Sequence, residues 1–343
     1  MATIGDVAAV AGVSRSTASY ALSGKRSIST EVRQRVLDAA AELGYTPNAG
    51  ARALATSQTK VIALLARFLP DEFAPAMLQY ILGVTNRARE LAYDTLLVSE
   101  DNGEAALQRL SATRMVDGFV LLNVSENDER LEVLRRAPQP GALVGLPADP
   151  SGVDVFDLDF PASGRLMVDR FFEAGHREAL VVSQSEQVAQ RGGAYVWRFA
   201  DGAAERAREV GMDLHRYHAS SLQPGIGTDL HRMLDEHPDA TALLVNNEAA
   251  AAALPTVLRD RNLVVPDDLS VIGRFSNEFA RTFSLPYSAV DSAAMDLGRQ
   301  AVEALVGRIQ GTNTEPNHVV SLLPPVIDDR GSVAAPPTRD CTG

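Results

Sequence analysis

The stretch from Thr3 to Leu54 constrains this chain more than any other, because it reads as a self-contained set of short helices ahead of a much larger body. It begins TIGDVAAVAGVSRSTASYAL. Thr3 is placed to cap a helix and Asp6, three residues on, closes a capping box; Ile4, Val7, Ala8 and Ala11 then recur at helical spacing. Gly12 follows, where a tight turn needs a residue that tolerates positive φ, and Ser14 can cap a second helix from Arg15 to about Leu22. Helix, glycine turn, helix is the helix-turn-helix pattern.

The second helix is polar at its front, through Arg15, Ser16, Thr17, Ser19 and Tyr20, while Ala18, Ala21 and Leu22 supply a buried side. A helix that reads DNA must offer hydrogen-bonding side chains to base edges while its other face packs on its neighbour. The same composition also suits a small exposed helix in an all-α subdomain. Ser29 or Thr30 starts a third helix, EVRQRVLDAAAELGY, whose Val32, Val36, Ala39, Ala40 and Leu43 form one apolar stripe. Pro47 ends that element, Asn48 can cap, and Ala49 to Ala55 is a helix of barely two turns containing Gly50. So short a helix is marginal alone.

Residues 3 to 60 closely resemble the LacI/GalR family of bacterial transcriptional repressors, in DVAAVAGVSRSTAS, in RQRVLDAAAELGYTPNAGARALA, and in the length and layout of the chain beyond them. The resemblance covers nearly the whole chain. Within the family, SYALSGKRSIS and PNAGARALATS most resemble the actinobacterial branch that includes the cellobiose-responsive repressor. The resemblance implies a homodimer on double-stranded DNA with a palindromic operator. It implies DNA contacts from Thr3, Ser14, Arg15, Ser16, Thr17, Ser19, Tyr20, Lys25, Asn48, Ala51, Arg52 and Leu54. Arg15, Ser16 and Tyr20 take the base-contacting positions, Tyr20 standing where many relatives carry Arg, and Leu54 takes the place of a leucine that wedges into the minor groove.

Net charge is -12, which looks wrong for a DNA binder until it is split. Residues 1 to 60 carry seven Lys/Arg against four Asp/Glu, and the remaining 283 carry 25 against 40. Phosphate contact therefore belongs to the N-terminal piece, while the acidic body is repelled from a duplex. A chain of 343 residues with 45% apolar residues can bury sizeable cores in two or three domains. No apolar run approaches a membrane span and no secretory signal pattern opens the chain, so no membrane partner is expected and the location is read as cytoplasmic. The lone Cys341 lies in a Pro-rich tail, so no intrachain disulfide or cysteine-based metal site is available.

From Lys60 the pattern changes to short apolar runs alternating with helical stretches. VIALLARF, DTLLVSE, DGFVLLNV and GALVGLPA form one series; REALVVSQS, TALLVNN and LSVIGRF form a second. Buried parallel strands with crossover helices look like this, so the body is read as α/β, two doubly wound subdomains. The family's fold, which resembles periplasmic sugar-binding proteins, implies three crossings between them. The expected layout is a DNA-binding domain at 1–46, a hinge helix and linker at 47–59, and an effector-binding and dimerisation domain at 60–330. Its N-subdomain takes about 60–161 and 290–322, its C-subdomain about 162–289 and 323–330, and 331–343 is expected to be a disordered tail.

A small ligand is expected between such subdomains, at the carboxyl ends of the strands. By resemblance, Arg191, opening the helix RGGAYVWRF, matches an arginine that contacts effector hydroxyls, and a guanidinium is a fixed fork of donors. Without the resemblance, an Arg at a strand-to-helix junction is more often a surface or capping residue. Asn247 and Glu248 match the family's Asn-Asp pair, although both residue types also start helices. Asp71 and Phe73 lie where relatives place contacting and lid residues. Two departures stand out. Gly273-Arg274-Phe275-Ser276 replaces a Gly-Phe-Asp-Asp run, so the usual carboxylate is missing and Phe275 is left among the candidate effector contacts; Leu222-Gln223-Pro224-Gly225 replaces a segment bearing a stacking aromatic. Trp197 could stack on a sugar ring or pack mid-helix.

Nothing supports catalysis. The six histidines show no HExxH or paired-ligand spacing, and neither a nucleophile elbow nor a P-loop is present, so no enzyme, metal or cofactor is expected. The reading is a dimeric repressor released from its operator by a small molecule, by family default a carbohydrate such as a β-glucoside. The alternative keeps DNA binding but makes it effector-independent or corepressor-dependent, with a degenerate pocket.

Overall fold

The computed structural model describes residues 2–23, 28–45, 58–68, 74–313 and 317–337. It divides into two compact units, residues 1–59 and 60–343. In the first, α1 (Ile4–Val10), α2 (Arg15–Ser23) and α3 (Thr30–Glu42) enclose a core of Val7, Ala8, Ala11, Ala18, Ala21, Val36, Ala39 and Ala40. Each helix start has its cap. The Thr3 amide donates to Asp6 Oδ2 at 2.8 Å, and the Asp6 amide to Thr3 Oγ1 at 3.3 Å, a capping box that also holds the Asp6 carboxyl below its ordinary range through the Thr3 hydrogen bonds. Ser14 accepts the Thr17 amide at 3.1 Å and Ser29 the Val32 amide at 3.3 Å. Gly12 turns at φ +65°, which lets α2 fold back on α1 within so few residues. The core is largely alanine, and such small side chains are what allow three short helices to approach closely.

The second unit contains two six-stranded sheets. The first has the order β11-β5-β4-β3-β1-β2, with β1 (Val61–Leu65), β2 (Asp94–Val98), β3 (Gly118–Leu121), β4 (Gly141–Val144), β5 (Asp154–Leu158) and β11 (Val320–Leu323), all parallel. The second has the order β12-β10-β9-β8-β6-β7, with β6 (Glu178–Ser183), β7 (Asp213–His218), β8 (Ala242–Asn246), β9 (Ser270–Arg274), β10 (Ser288–Val290) and a short antiparallel β12 (Ile327–Asp328). Central strands such as VIALL, GFVL and ALLVN are buried along nearly their whole length, as parallel strands covered on both faces must be. Five strands escape the sequence reading, β5, β7, β10, β11 and β12. Asp154 and Asp157 interrupt the apolar run of β5, β7 is a polar edge, and the others are too short to show a period.

Helices cover both faces. On the first sheet lie α4 (Ala74–Glu90), α5 (Gly103–Thr113), α6 (Arg130–Arg136) and α13 (Ala294–Ile309). The second carries α7 (Phe160–Ala174), α8 (Glu186–Gln190), α9 (Ala194–Val210), α10 (Gly225–Glu236), α11 (Glu248–Asp260) and α12 (Asn277–Phe283). Two helix pairs cross at glycines. A Cβ on Gly83 of α4 would lie 2.4 Å from the Met295 carbonyl oxygen, and one on Gly202 of α9 would lie 2.3 Å from that of Pro161. Only glycine permits these backbones to touch.

The chain passes between the sheets three times, after β5, between β10 and α13, and between β11 and β12. The expectation of a disordered tail from residue 331 needs correction. Ser332 is buried, its hydroxyl donating to Val271 O at 2.5 Å, and Ala334 O accepts from His176 Nε2 at 3.0 Å. The sequence SVAAPP hid this because the binding is through backbone and one serine. Residues 338–343, with Cys341, lie outside the described residues.

Candidate functional site

Two surfaces carry chemistry. On the first unit, α2 presents Arg15, Ser16 and Ser19 to solvent, with Thr17 and Tyr20 half-buried. Ser14 Oγ lies 2.8 Å from both Ser16 Oγ and Thr17 Oγ1, so three hydroxyls form one network at the helix start. A guanidinium and a hydroxyl cluster on the exposed front of a helix can meet base edges and phosphates. The Arg15 side chain folds back onto α1, close enough that a Cβ on Gly5 would meet its Nη2 at 2.8 Å. Thr3 spends its hydroxyl on the capping box, which leaves its side chain an anchor for α1. Lys25, Asn48, Ala51, Arg52 and Leu54 lie outside the described residues, as do Asp71 and Phe73.

In the second unit a cleft opens at the carboxyl ends of the strands of both sheets, with about 1350 Å³ of empty space counted out to its open mouth. Four arginines line it: Arg67 after β1, Arg191 and Arg198 around the start of α9, and Arg274 at the end of β9. So do the aromatic rings of Phe68, Tyr80, Phe160 and Tyr195. Guanidinium forks over aromatic faces suit a ligand that alternates hydroxyl edges with apolar ring faces.

Arg274 is the centre of a buried polar cluster. It is 3% exposed, donates from Nε to Asn246 Oδ1 at 2.6 Å and from Nη2 to Glu248 Oε1 at 2.8 Å, and stands 5.5 Å from the Phe160 ring. Glu248 Oε2 in turn accepts from Gln184 Nε2 at 3.1 Å, and Gln184 Oε1 accepts from Ser221 Oγ at 3.2 Å. Burial works against the Arg274 charge, but the Glu248 carboxylate more than restores it. Arg274, in the run that lacks the usual carboxylate, therefore has a counterion supplied by Glu248.

Across the cleft Asp157 is buried, and that burial pushes its pKa up to about 6 despite hydrogen bonds from the Leu146 and Leu158 amides. Arg198 reaches from α9 to the first sheet's side, donating to Leu146 O at 2.6 Å with Glu126 3.8 Å away. Beside it the Glu126 amide donates to Gly192 O at 2.9 Å, and Ser125 Oγ to Arg191 O at 3.4 Å. The two sides are thus joined by hydrogen bonds near the arginine pair. Arg67 Nε is buried without a hydrogen-bond partner, a donor left for a ligand.

The sequence expectations divide on this geometry. Arg191 and Glu248 line the cleft, although Arg191 ends α8 and the next helix begins only at Ala194. Asn247 does not line it. It is fully buried, caps α11 by accepting the Ala250 amide at 3.1 Å, and donates to Ala219 O at 3.2 Å, so its amide is consumed in holding strand ends together. Phe275 does not line it either: its ring is 1% exposed and packs into the second sheet's core, 5.9 Å from Phe279, because β9 alternates sides and sends Arg274 to the cleft instead. Trp197 is half-buried and outside the cleft lining. Missed in the sequence were Arg67, Asp157, Phe160, Gln184, Tyr195 and Arg198; a polar residue just past a strand's carboxyl end was the available signal for Arg67 and Gln184.

Comparison with known proteins gives two family matches. Residues 3–48 match the bacterial regulatory proteins of the lacI family, and residues 168–333 a periplasmic binding protein-like domain. The HTH-type transcriptional regulator CelR of Thermobifida fusca is 30% identical over 327 residues, 93% of this chain and 95% of that protein. The ribose operon repressor of Escherichia coli strain K12 is 27% identical over 340 residues, 97% and 100% of the two. Among solved structures, a transcriptional regulator CelR–cellobiose complex is 27% identical with a TM-score of 0.64, covering 97% of this chain and 100% of that one. The lac repressor dimer bound to operator and the anti-inducer ONPF shares the fold, with a TM-score of 0.79 at 22% identity over 97% and 99%.

Proposed function

Because the chain belongs to the lacI family of bacterial regulatory proteins, we propose that it is a homodimeric transcriptional repressor, held on a palindromic operator and released by a carbohydrate that enters the cleft. Residues 1–46 read DNA, 47–59 form the hinge and 60–330 sense the ligand and dimerise, in the cytoplasm where the operator lies. Arg15, Ser16 and Tyr20 contact base edges and Leu54 wedges the minor groove. A two-fold dimer requires two half-sites about one helical turn apart. A ligand that favours the closed cleft shifts the protein from its DNA-binding state, and a tenfold loss of operator affinity needs about 1.4 kcal/mol of preference. The relatives are regulators by name, and no catalytic constellation accompanies the cleft among the described residues.

The observation that carries this reading is the cleft itself, lined by Arg67, Arg191 and Arg198 together with the rings of Phe160 and Tyr195. The relative solved with cellobiose supports an oligosaccharide such as a β-glucoside. One observation favours a second reading, an effector-independent or corepressor-dependent regulator: Arg274 and Glu248 satisfy each other and offer less to a sugar than an unpaired carboxylate would. Operator release by the full-length protein, measured against mono- and oligosaccharides including cellobiose, decides between them. Release by one sugar class supports induction. Tight operator binding that no sugar alters overturns it, and absence of sequence-specific DNA binding overturns both.

A further inference from the structure

We infer that the second sheet carries a divalent transition-metal site, of the zinc class, formed by Glu178, His215 and His237. The three are far apart in the chain and no sequence spacing announces them. The fold brings them together: Glu178 opens β6, His215 lies on the edge strand β7, and His237 caps the end of α10. In the β6–β7 register His215 pairs with Leu180, two residues beyond Glu178, so both ligand side chains fall on the face that packs against α10. One ligand atom from each residue lies within 4.8 Å of the others.

The spacing is compatible with a metal. His215 Nε2 is 3.1 Å and His237 Nδ1 3.4 Å from the same oxygen, Glu178 Oε1. Zinc binds imidazole nitrogen and carboxylate oxygen at about 2.0–2.2 Å in a tetrahedron, whose ligand-to-ligand edges are then about 3.3–3.6 Å, close to these separations. A charge-assisted hydrogen bond is shorter, about 2.7–2.9 Å. Orientation is already fixed. The imidazoles stack with centroids 3.9 Å apart, and the Tyr217 ring stands edge-on to His237 while its hydroxyl donates to Glu236 at 2.7 Å. The side chains are 37%, 38% and 22% exposed, so an ion has an entry path and room for a water as fourth ligand.

Two imidazoles and one carboxylate select a borderline ion such as Zn²⁺ and reject Mg²⁺ and Ca²⁺, which require oxygen ligands. Glu178 stands at the amino end of β6, five residues and roughly 17 Å from the cleft end of that strand, so the site is separate from the ligand cleft. Its effect is to clamp the outer end of the β6–β7 pair to the helix that follows.

The test uses the untagged full-length protein, stripped with chelator and titrated calorimetrically with ZnCl₂. Expected are one equivalent per chain, visible absorption of a four-coordinate ion when Co²⁺ is substituted, and slower amide exchange in β7 with zinc. Replacing His237→Ala or Glu178→Gln should each weaken zinc binding at least about tenfold with the circular dichroism unchanged, and His231→Ala should leave it as it was. Absence of saturable zinc binding, or binding that survives both His237→Ala and Glu178→Gln, overturns the assignment. Should one variant unfold, the cobalt spectrum of the other decides.

Discussion

Replacing Glu248 by Ala tests whether Arg274 depends on its built-in counterion. The guanidinium is 3% exposed and its two strong bonds go to Glu248 and Asn246, at 2.8 and 2.6 Å. Removing the carboxylate leaves a buried charge with one amide oxygen and the Phe160 ring face, and breaking a buried pair in this way costs about 3–5 kcal/mol. Because Glu248 lines the cleft, water can enter the gap, which places the expectation near the lower end, about 3 kcal/mol. For a body spanning residues 60–343 that corresponds to a fall of roughly 5 °C in melting temperature. Glu248→Gln should cost less, about 1–3 kcal/mol, since its oxygen can still accept from Arg274 while its NH₂ opposes the Gln184 amide donor. Replacing both partners, as Glu248→Leu with Arg274→Met, should recover most of the loss. Urea unfolding followed by circular dichroism measures all three. A cost under about 1 kcal/mol for Glu248→Ala, or a double variant that loses the sum of the single ones, refutes the dependence.

Three further outcomes are expected. Arg191→Ala removes a forked donor whose charge-assisted bonds are worth roughly 1.5–3 kcal/mol each, so ligand affinity should fall at least tenfold while ligand-free operator affinity holds; joint loss of operator binding and dimer stability makes Arg191 structural. Asp157, with its pKa raised to about 6, binds more protons folded than unfolded between about pH 4 and 6. Its contribution to stability is therefore fully present at low pH and lost as pH rises through about 6, so wild type should lose stability relative to Asp157→Asn, whose amide stays neutral, over that window; a difference that stays constant from about pH 4 to 7 contradicts the raised pKa. Gly202→Ala must force α7 and α9 apart and should destabilise by about 1–3 kcal/mol, whereas Gly227→Ala, whose Cβ meets nothing closer than 3.4 Å, should be neutral or mildly stabilising; equal effects in thermal melts would remove the close-crossing argument.

What the sequence made legible came from local physics. Caps, the Gly12 turn and the alanine stripe of α3 are neighbour effects, and all three helices start where their cap residues stand. Buried parallel strands announce themselves as apolar runs, so the strands bearing Asp157 and the polar edge strand β7 were passed over. The cleft was legible as a place but less so as a set of side chains. Strand alternation decides that Arg274 faces the cleft and Phe275 the core, and a shift of one residue inverts the answer. Asn247 shows the same difficulty, since a residue type that both caps helices and binds sugars gives one letter for two roles. Glu178, His215 and His237 meet only through the sheet register, which no local pattern encodes.

The three passages between the sheets also govern when this protein can become stable during synthesis. The first sheet is begun by β1 to β5 but needs α13 and β11, so its last strand emerges about 165 residues after residue 158. At roughly 5–20 residues per second the incomplete sheet waits about 8–33 s on the ribosome, its β5 edge uncovered. The second sheet is released no sooner, because Ser332 and β12 belong to it. Neither lobe can be finished vectorially, and both close over the last few dozen residues. Nascent chains stalled at residue 310 should be cut readily by protease throughout residues 60–310, and protection should arise abruptly once residue 337 has cleared the exit tunnel. Early protection of residues 60–158 would mean that the first lobe holds without its final strand.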